Sequence, residues 1–173
     1  MIKKIIALFL VLFLTGCSQK QLPVYESYDD LSSRLKGVDS WLYVSEDEMM
    51  FSEILDDENT YNYYAFSLWK DEKNLKNIYD IVTKTDYSTI SIVYFLNPVS
   101  DDDFSLFENY IDKNIKNSNS SPEKEVYNNG LSYIITSDED KNETYFFLTK
   151  QYYIYLEIKD EEKFILDDLD LPY

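Results

Sequence analysis

Three runs in the last third of the chain change character with a period of two, and no other feature constrains the fold as strongly. Residues 131–136, 143–149 and 152–159 place apolar or aromatic side chains at every second position. Successive side chains of an extended backbone point to opposite faces, so each run predicts a strand. Short polar breaks separate the runs, which predicts a C-terminal antiparallel meander. Asn128-Asn129-Gly130 stands before the first of them, and Asn-Gly is the pair that supplies the positive backbone angles expected of a two-residue hairpin.

Earlier segments mix the two periods. Residues 61–69 set Tyr64, Phe66 and Leu68 on one side, residues 89–96 alternate through Ile90, Ile92, Tyr94 and Leu96, and residues 41–44 form a brief strand. Between them lie helical patterns. Ser27 precedes Tyr28, Leu31 and Leu35 as an N-cap, with Gly37 as a stop. Ser45 and Glu48 make a capping box ahead of Met49, Phe51, Ile54 and Leu55. Leu75, Ile78, Tyr79 and Val82 lie at helical spacing within residues 71–84, and Ser100 with Asp103 caps a helix whose stripe is Phe104, Phe107, Ile111 and Ile115. Residues 117–122 read as a loop and 161–168 as a closing helix. The expectation is an α+β fold: a mixed or mainly antiparallel sheet with four or five helices packed on it.

The first residues have a different logic. Lys3 and Lys4 precede an apolar run over residues 5–14. A helix rises about 1.5 Å per residue against a hydrocarbon core of roughly 30 Å, so this run is too short for a permanent span and reads as a signal peptide. The following Leu14-Thr15-Gly16-Cys17 resembles the lipobox of bacterial lipoproteins. That resemblance implies cleavage before Cys17, a diacylglyceryl group on its sulfur, and residence on the extracytoplasmic face of the cell membrane. Two acyl chains hold a protein stably where one holds it marginally. Cys17 is the only cysteine, which excludes a disulfide within one molecule. The expected organisation is a signal peptide over residues 1–16, a lipidated and weakly ordered tether over 17–26, and one α+β domain over 27–173.

Loss of residues 1–16 removes two of 16 basic residues and none of 33 acidic ones, so 14 against 33 leaves a formal charge of −19 on the remaining 157 residues. Such a surface has the wrong sign for a phosphate backbone, which argues against nucleic acid and toward a cationic peptide or protein. Disorder is excluded by 45% hydrophobic and 17% aromatic content, ample for a packed core.

The chain contains no histidine, and so lacks the commonest general base and transition-metal ligand. With Cys17 committed to lipid, catalysis would rest on carboxylates, as in a glycoside hydrolase with two acids about 5 to 9.5 Å apart. Asp138, Asp140 and Asn142 alternate like the opening of a calcium loop, but Glu143 replaces the turn glycine and Thr149 the closing glutamate. A polar turn between strands accounts for them, and no metal or cofactor is called for. Tyr153 and Tyr155 lie opposite Ile154, Leu156 and Ile158, just as Tyr61, Tyr63 and Trp69 lie opposite Phe66 and Leu68. Those rings form either an open face that grips a peptide or glycan, or a second buried face beneath helices with bonded hydroxyls.

Three function classes follow. The leading expectation is a lipid-anchored, non-catalytic binding protein that captures a cationic peptide or protein; in general character the chain resembles small immunity lipoproteins that intercept bacteriocins and acidic inhibitors of basic lysozymes. The alternatives are an accessory subunit of a membrane transporter or secretion complex and a carboxylate-dependent cell-wall hydrolase.

Overall fold

The period-two runs pair into one sheet. The computed structural model describes residues 20–39, 41–44, 62–71, 87–116, 122–136 and 142–173. Among them the strands are β1 (Leu42–Val44), β2 (Tyr63–Asp71), β3 (Tyr87–Phe95), β4 (Pro122–Tyr127), β5 (Gly130–Thr136), β6 (Asn142–Thr149) and β7 (Tyr152–Lys159). They form a seven-stranded sheet in the order β1-β2-β3-β7-β6-β5-β4, and every neighbouring pair is antiparallel. The last strand is therefore inserted at the centre, between β3 and β6.

Register explains why the sheet is buried on both faces. Ile92, Ile154 and Phe147 lie side by side on one face, and Val93, Tyr153 and Leu148 on the other. The first face is covered by α1 (Tyr28–Arg34), by α3 (Phe164–Asp168) and by irregular chain that contributes Leu22, Tyr25, Leu169 and Leu171. The second lies under α2 (Asp101–Lys116), which packs Phe107, Ile111 and Ile115 onto it. Both caps read from the sequence are present. Ser27 Oγ accepts the Asp30 N–H at 3.1 Å, and Ser100 Oγ accepts that of Asp103 at 3.1 Å while donating to its carboxylate at 2.6 Å. Three acidic residues in the first turn of α2 suit its positive end.

The expected α+β sheet with four or five helices on it is overturned. The described chain is mainly sheet, accompanied by three short α-helices and one 3-10 turn (Asp160–Glu162). The closing helix predicted over 161–168 is broken into that turn and the five residues of α3. The helix expected over residues 45–55 lies outside the described residues, as does that over 71–84 except for Asp71, which ends β2. One strand also went unread: β4 follows the predicted loop, and its consecutive Glu123, Lys124 and Glu125, charged on both faces, hide the apolar period because it lies at the sheet edge. Charged side chains there blunt an open row of backbone donors and acceptors.

Two further expectations change. The tether predicted over residues 17–26 is docked from Lys20 onward, with Leu22 and Tyr25 fully buried. The hairpin loop is Asn128-Asn129, and positive φ among the described residues occurs only at Gly37 (72°) and Asp170 (54°). Gly130 is required for space instead: a Cβ there would stand 2.2 Å from the carbonyl oxygen of Leu148 and 3.1 Å from Leu22 Cδ1. Gly130→Ala should therefore push β5 off β6, lowering the urea midpoint by the equivalent of about 1–3 kcal/mol with an unchanged m-value.

Glu162 anchors the far end of the sheet. Its buried carboxylate accepts Lys70 Nζ at 2.7 Å and the Lys159 N–H at 3.0 Å. Burial pushes its pKa upward, but bonds from Lys70, Ser88 and the Lys159 backbone outweigh it and hold the group below the ordinary 4.5. The ionised form thus stabilises the fold fully above about pH 4.5 and loses that contribution as pH falls through the lower folded value. Glu162→Gln should cost about 1–3 kcal/mol at pH 7. That gap to wild type, read from chemical denaturation, should narrow below pH 4.5, and the comparison cancels the general relief of acidic repulsion.

Candidate functional site

Backbone amides and carbonyls that leave a sheet need partners, and one end of this sheet collects four such departures. The Asn128-Asn129 loop, the Lys150-Gln151 turn, the residues after Phe95 and the start of β2 meet there, and the strap of residues 20–25 crosses over them. Asn129 holds the strap from both sides, accepting the Leu22 N–H at 2.9 Å and donating to the Leu22 carbonyl at 3.0 Å. Tyr152 OH donates to the Pro23 carbonyl at 2.9 Å, Tyr94 OH to that of Tyr25 at 3.2 Å, and Tyr25 OH onward to Leu169 at 2.6 Å. Burial raises the pKa of Tyr25, Tyr94 and Tyr152, so these hydroxyls stay protonated donors.

Beside the strap lies a groove of about 680 Å³. Its apolar wall is built by Pro23 and Val24 of the strap, Phe104 of α2, Val126 of β4 and Leu131 of β5. Its polar lining includes Asp101 and Glu108 of α2, each held by a lysine: Lys150 Nζ at 2.5 Å from Asp101 and Lys124 Nζ at 2.7 Å from Glu108. Lys124 also stands 5.0 Å from the centre of the Tyr133 ring, and Lys20 pairs with Glu125 nearby. A separate, smaller hollow of about 410 Å³ lies along Glu26–Asp29, where Tyr28 stacks on Tyr64 with ring centres 4.7 Å apart.

The groove sets an apolar wall beside two lysine-paired carboxylates. Asp101 and Glu108 are seven residues apart on one helix, a rise of about 10.5 Å, and each is matched to its own cation, unlike the closely facing acids of a glycoside hydrolase. Tyr127 is pushed up to about 12 by burial and then by Glu125, and Tyr133 to about 12 by burial and then by Asp112, so neither supplies a phenolate near neutrality. Among the described residues no three His, Cys, Asp or Glu side chains stand together as a metal site.

The residues singled out in the sequence are distributed differently. Tyr153 is buried beneath α2, and Tyr63 and Tyr155 are half-buried against the same cluster. Trp69 is half-buried further along that face, and Tyr155 OH donates to Glu157 at 2.8 Å. Tyr63, Tyr153 and Tyr155 belong to a covered face rather than an open one. Tyr61, Cys17, Asp138 and Asp140 lie outside the described residues, and Asn142 is buried at the start of β6. The exposed tyrosine of β2 is Tyr64, which shares the parity of Phe66 and Leu68 but stands beyond the rim of the core. The groove itself had no sequence signal, because Val24, Val126 and Phe104 converge only through the sheet order. No known protein family, curated protein or solved structure matches the chain.

Removing the hydroxyl of Tyr152 tests whether these bonds hold the strap. Tyr152→Phe leaves the Pro23 carbonyl without its donor and should cost about 1 kcal/mol. Hydrogen exchange at Leu22 and Tyr25 should accelerate selectively, while the amides of β7 keep their protection.

Proposed function

We propose that the protein is a lipid-anchored, extracytoplasmic binding module that captures a cationic, partly apolar peptide segment in the groove beside its strap. The observation that carries this reading is the combination in one concavity of an apolar wall, Val24, Phe104, Val126 and Leu131, with the helix carboxylates Asp101 and Glu108. Exposed ion pairs are worth only about 0–1 kcal/mol, so an incoming ligand cation exchanges with Lys150 or Lys124 at little cost. Apolar contact with the wall then supplies the favourable free energy, and the formal charge of −19 left after loss of residues 1–16 speeds the encounter with a cation. The lipobox resemblance at Leu14-Thr15-Gly16-Cys17 supplies the anchor. Among the described residues no helix is long and apolar enough to cross a membrane.

Binding of a panel of basic amphipathic peptides, measured by calorimetry, tests the proposal. Affinity should fall about tenfold between roughly 50 and 300 mM salt, as expected for partly screened surface charges. The double substitution Asp101→Lys, Glu108→Lys should weaken binding by a similar factor while Val126→Ser reduces the salt-independent part. Binding that ignores salt and both sets of substitutions would sink the reading.

A further inference from the structure

Deepening the reading just given, and resting on lipid attachment at Cys17, the docked strap determines how the domain meets the membrane. The Lys20 carbonyl already accepts the Asn128 N–H at 3.2 Å, so the chain is fastened to the sheet end from that residue. Three peptide units separate Cys17 from Lys20, a reach of at most roughly 11 Å. A domain of 157 residues has a radius of gyration of about 15 Å. The link is shorter than the body it carries, so the end bearing Lys20 is held at the headgroups.

Exposed apolar side chains concentrate at that same end. Seven large hydrophobic residues are exposed among the described residues, and four of them stand there: Val24 at 66%, Val126 at 73%, Tyr64 at 49% and Leu96 at 48%. Val24 is on the strap, Val126 precedes the Asn128-Asn129 loop, Tyr64 opens β2 and Leu96 follows β3. Beside Val24 and Val126 charge is matched locally, through Lys20 with Glu125, Lys124 with Glu108 and Lys150 with Asp101, while Glu26 and Asp29 line the hollow beside Tyr64 and Leu96. An acidic surface is repelled by a membrane, whereas matched pairs with apolar and tyrosine side chains suit the interfacial zone.

We propose that this end of the sheet is a membrane-contact face on which Tyr64 and Leu96 rest in the headgroup region of the bilayer around the Cys17 anchor, while Val24 and Val126 form the lip where the groove meets it. The groove then opens at headgroup level, and its ligand is a peptide already adsorbed to the membrane rather than one free in solution.

Because the lipid consumes the sulfur of Cys17, a cysteine introduced at Val126→Cys is the only free thiol of the mature protein and takes a nitroxide label. Thr136→Cys, at the other end of β5 and roughly 20 Å away, is the exposed control. The full lipidated protein is placed in phosphatidylcholine vesicles, its N-terminus is checked by mass spectrometry, and collision with a water-soluble nickel reagent is measured. Accessibility at position 126 should be at least roughly threefold lower than at 136, with oxygen accessibility changed in the opposite sense. Equal accessibility in a protein that is lipidated and floats with vesicles would overturn this inference and leave the anchor standing. A product without lipid at Cys17 would overturn both. Dipolar broadening between labels at 126 would assign the patch to a second copy of the chain, again overturning membrane contact.

Discussion

A sheet that is apolar on both faces has to be covered twice, and the rest of this structure follows from that constraint. β3, β6 and β7 carry large apolar side chains at successive positions, so neither face of the sheet's centre can be left to water. Among the described residues the second face is covered by α2, whose sixteen residues present Phe107, Ile111 and Ile115 in a continuous stripe. The first face has only the short α1 and α3 among the described helices, and irregular chain completes the cover.

Irregular chain over a core carries backbone groups without the internal bonding of a helix, and each one left unbonded costs roughly 1–3 kcal/mol. Tyrosine meets that demand with a ring that adds buried area and a hydroxyl that reaches a carbonyl. Tyr152, Tyr94 and Tyr25 do this in sequence, tying the strap to the sheet and the strap in turn to Leu169. Of the two readings that the tyrosine-rich strands allowed, a gripping face or a buried one with bonded hydroxyls, these three residues follow the second. The same ties place the apolar residues of the strap beside those of β4 and α2, and so create the groove.

How legible this was depended on whether the information was local. β7 appears with the bounds its alternation predicted, and the Ser27 and Ser100 caps bond as their spacing indicated. Gly130 was recognised as special for the wrong physical reason. Its importance lies in the approach of the Leu148 carbonyl, a partner eighteen residues on in β6 that the local turn pattern does not reveal. β4 and Tyr64 were misjudged because exposure at a sheet edge or rim depends on which strand lies alongside.

Sequence alone determined most of the described strands, the caps at Ser27 and Ser100 and the acidity, since each is written in residues a few positions apart or in composition. The tertiary structure decided that β7 lies between β3 and β6, that the face of Tyr153 and Tyr155 is covered, and that residues 20–25 are part of the domain. These depend on pairings across tens of residues, where many arrangements satisfy the same local periods. Only simultaneous burial of both sheet faces, with the strap carbonyls of Lys20, Leu22, Pro23 and Tyr25 each given a donor, distinguishes one arrangement from the others.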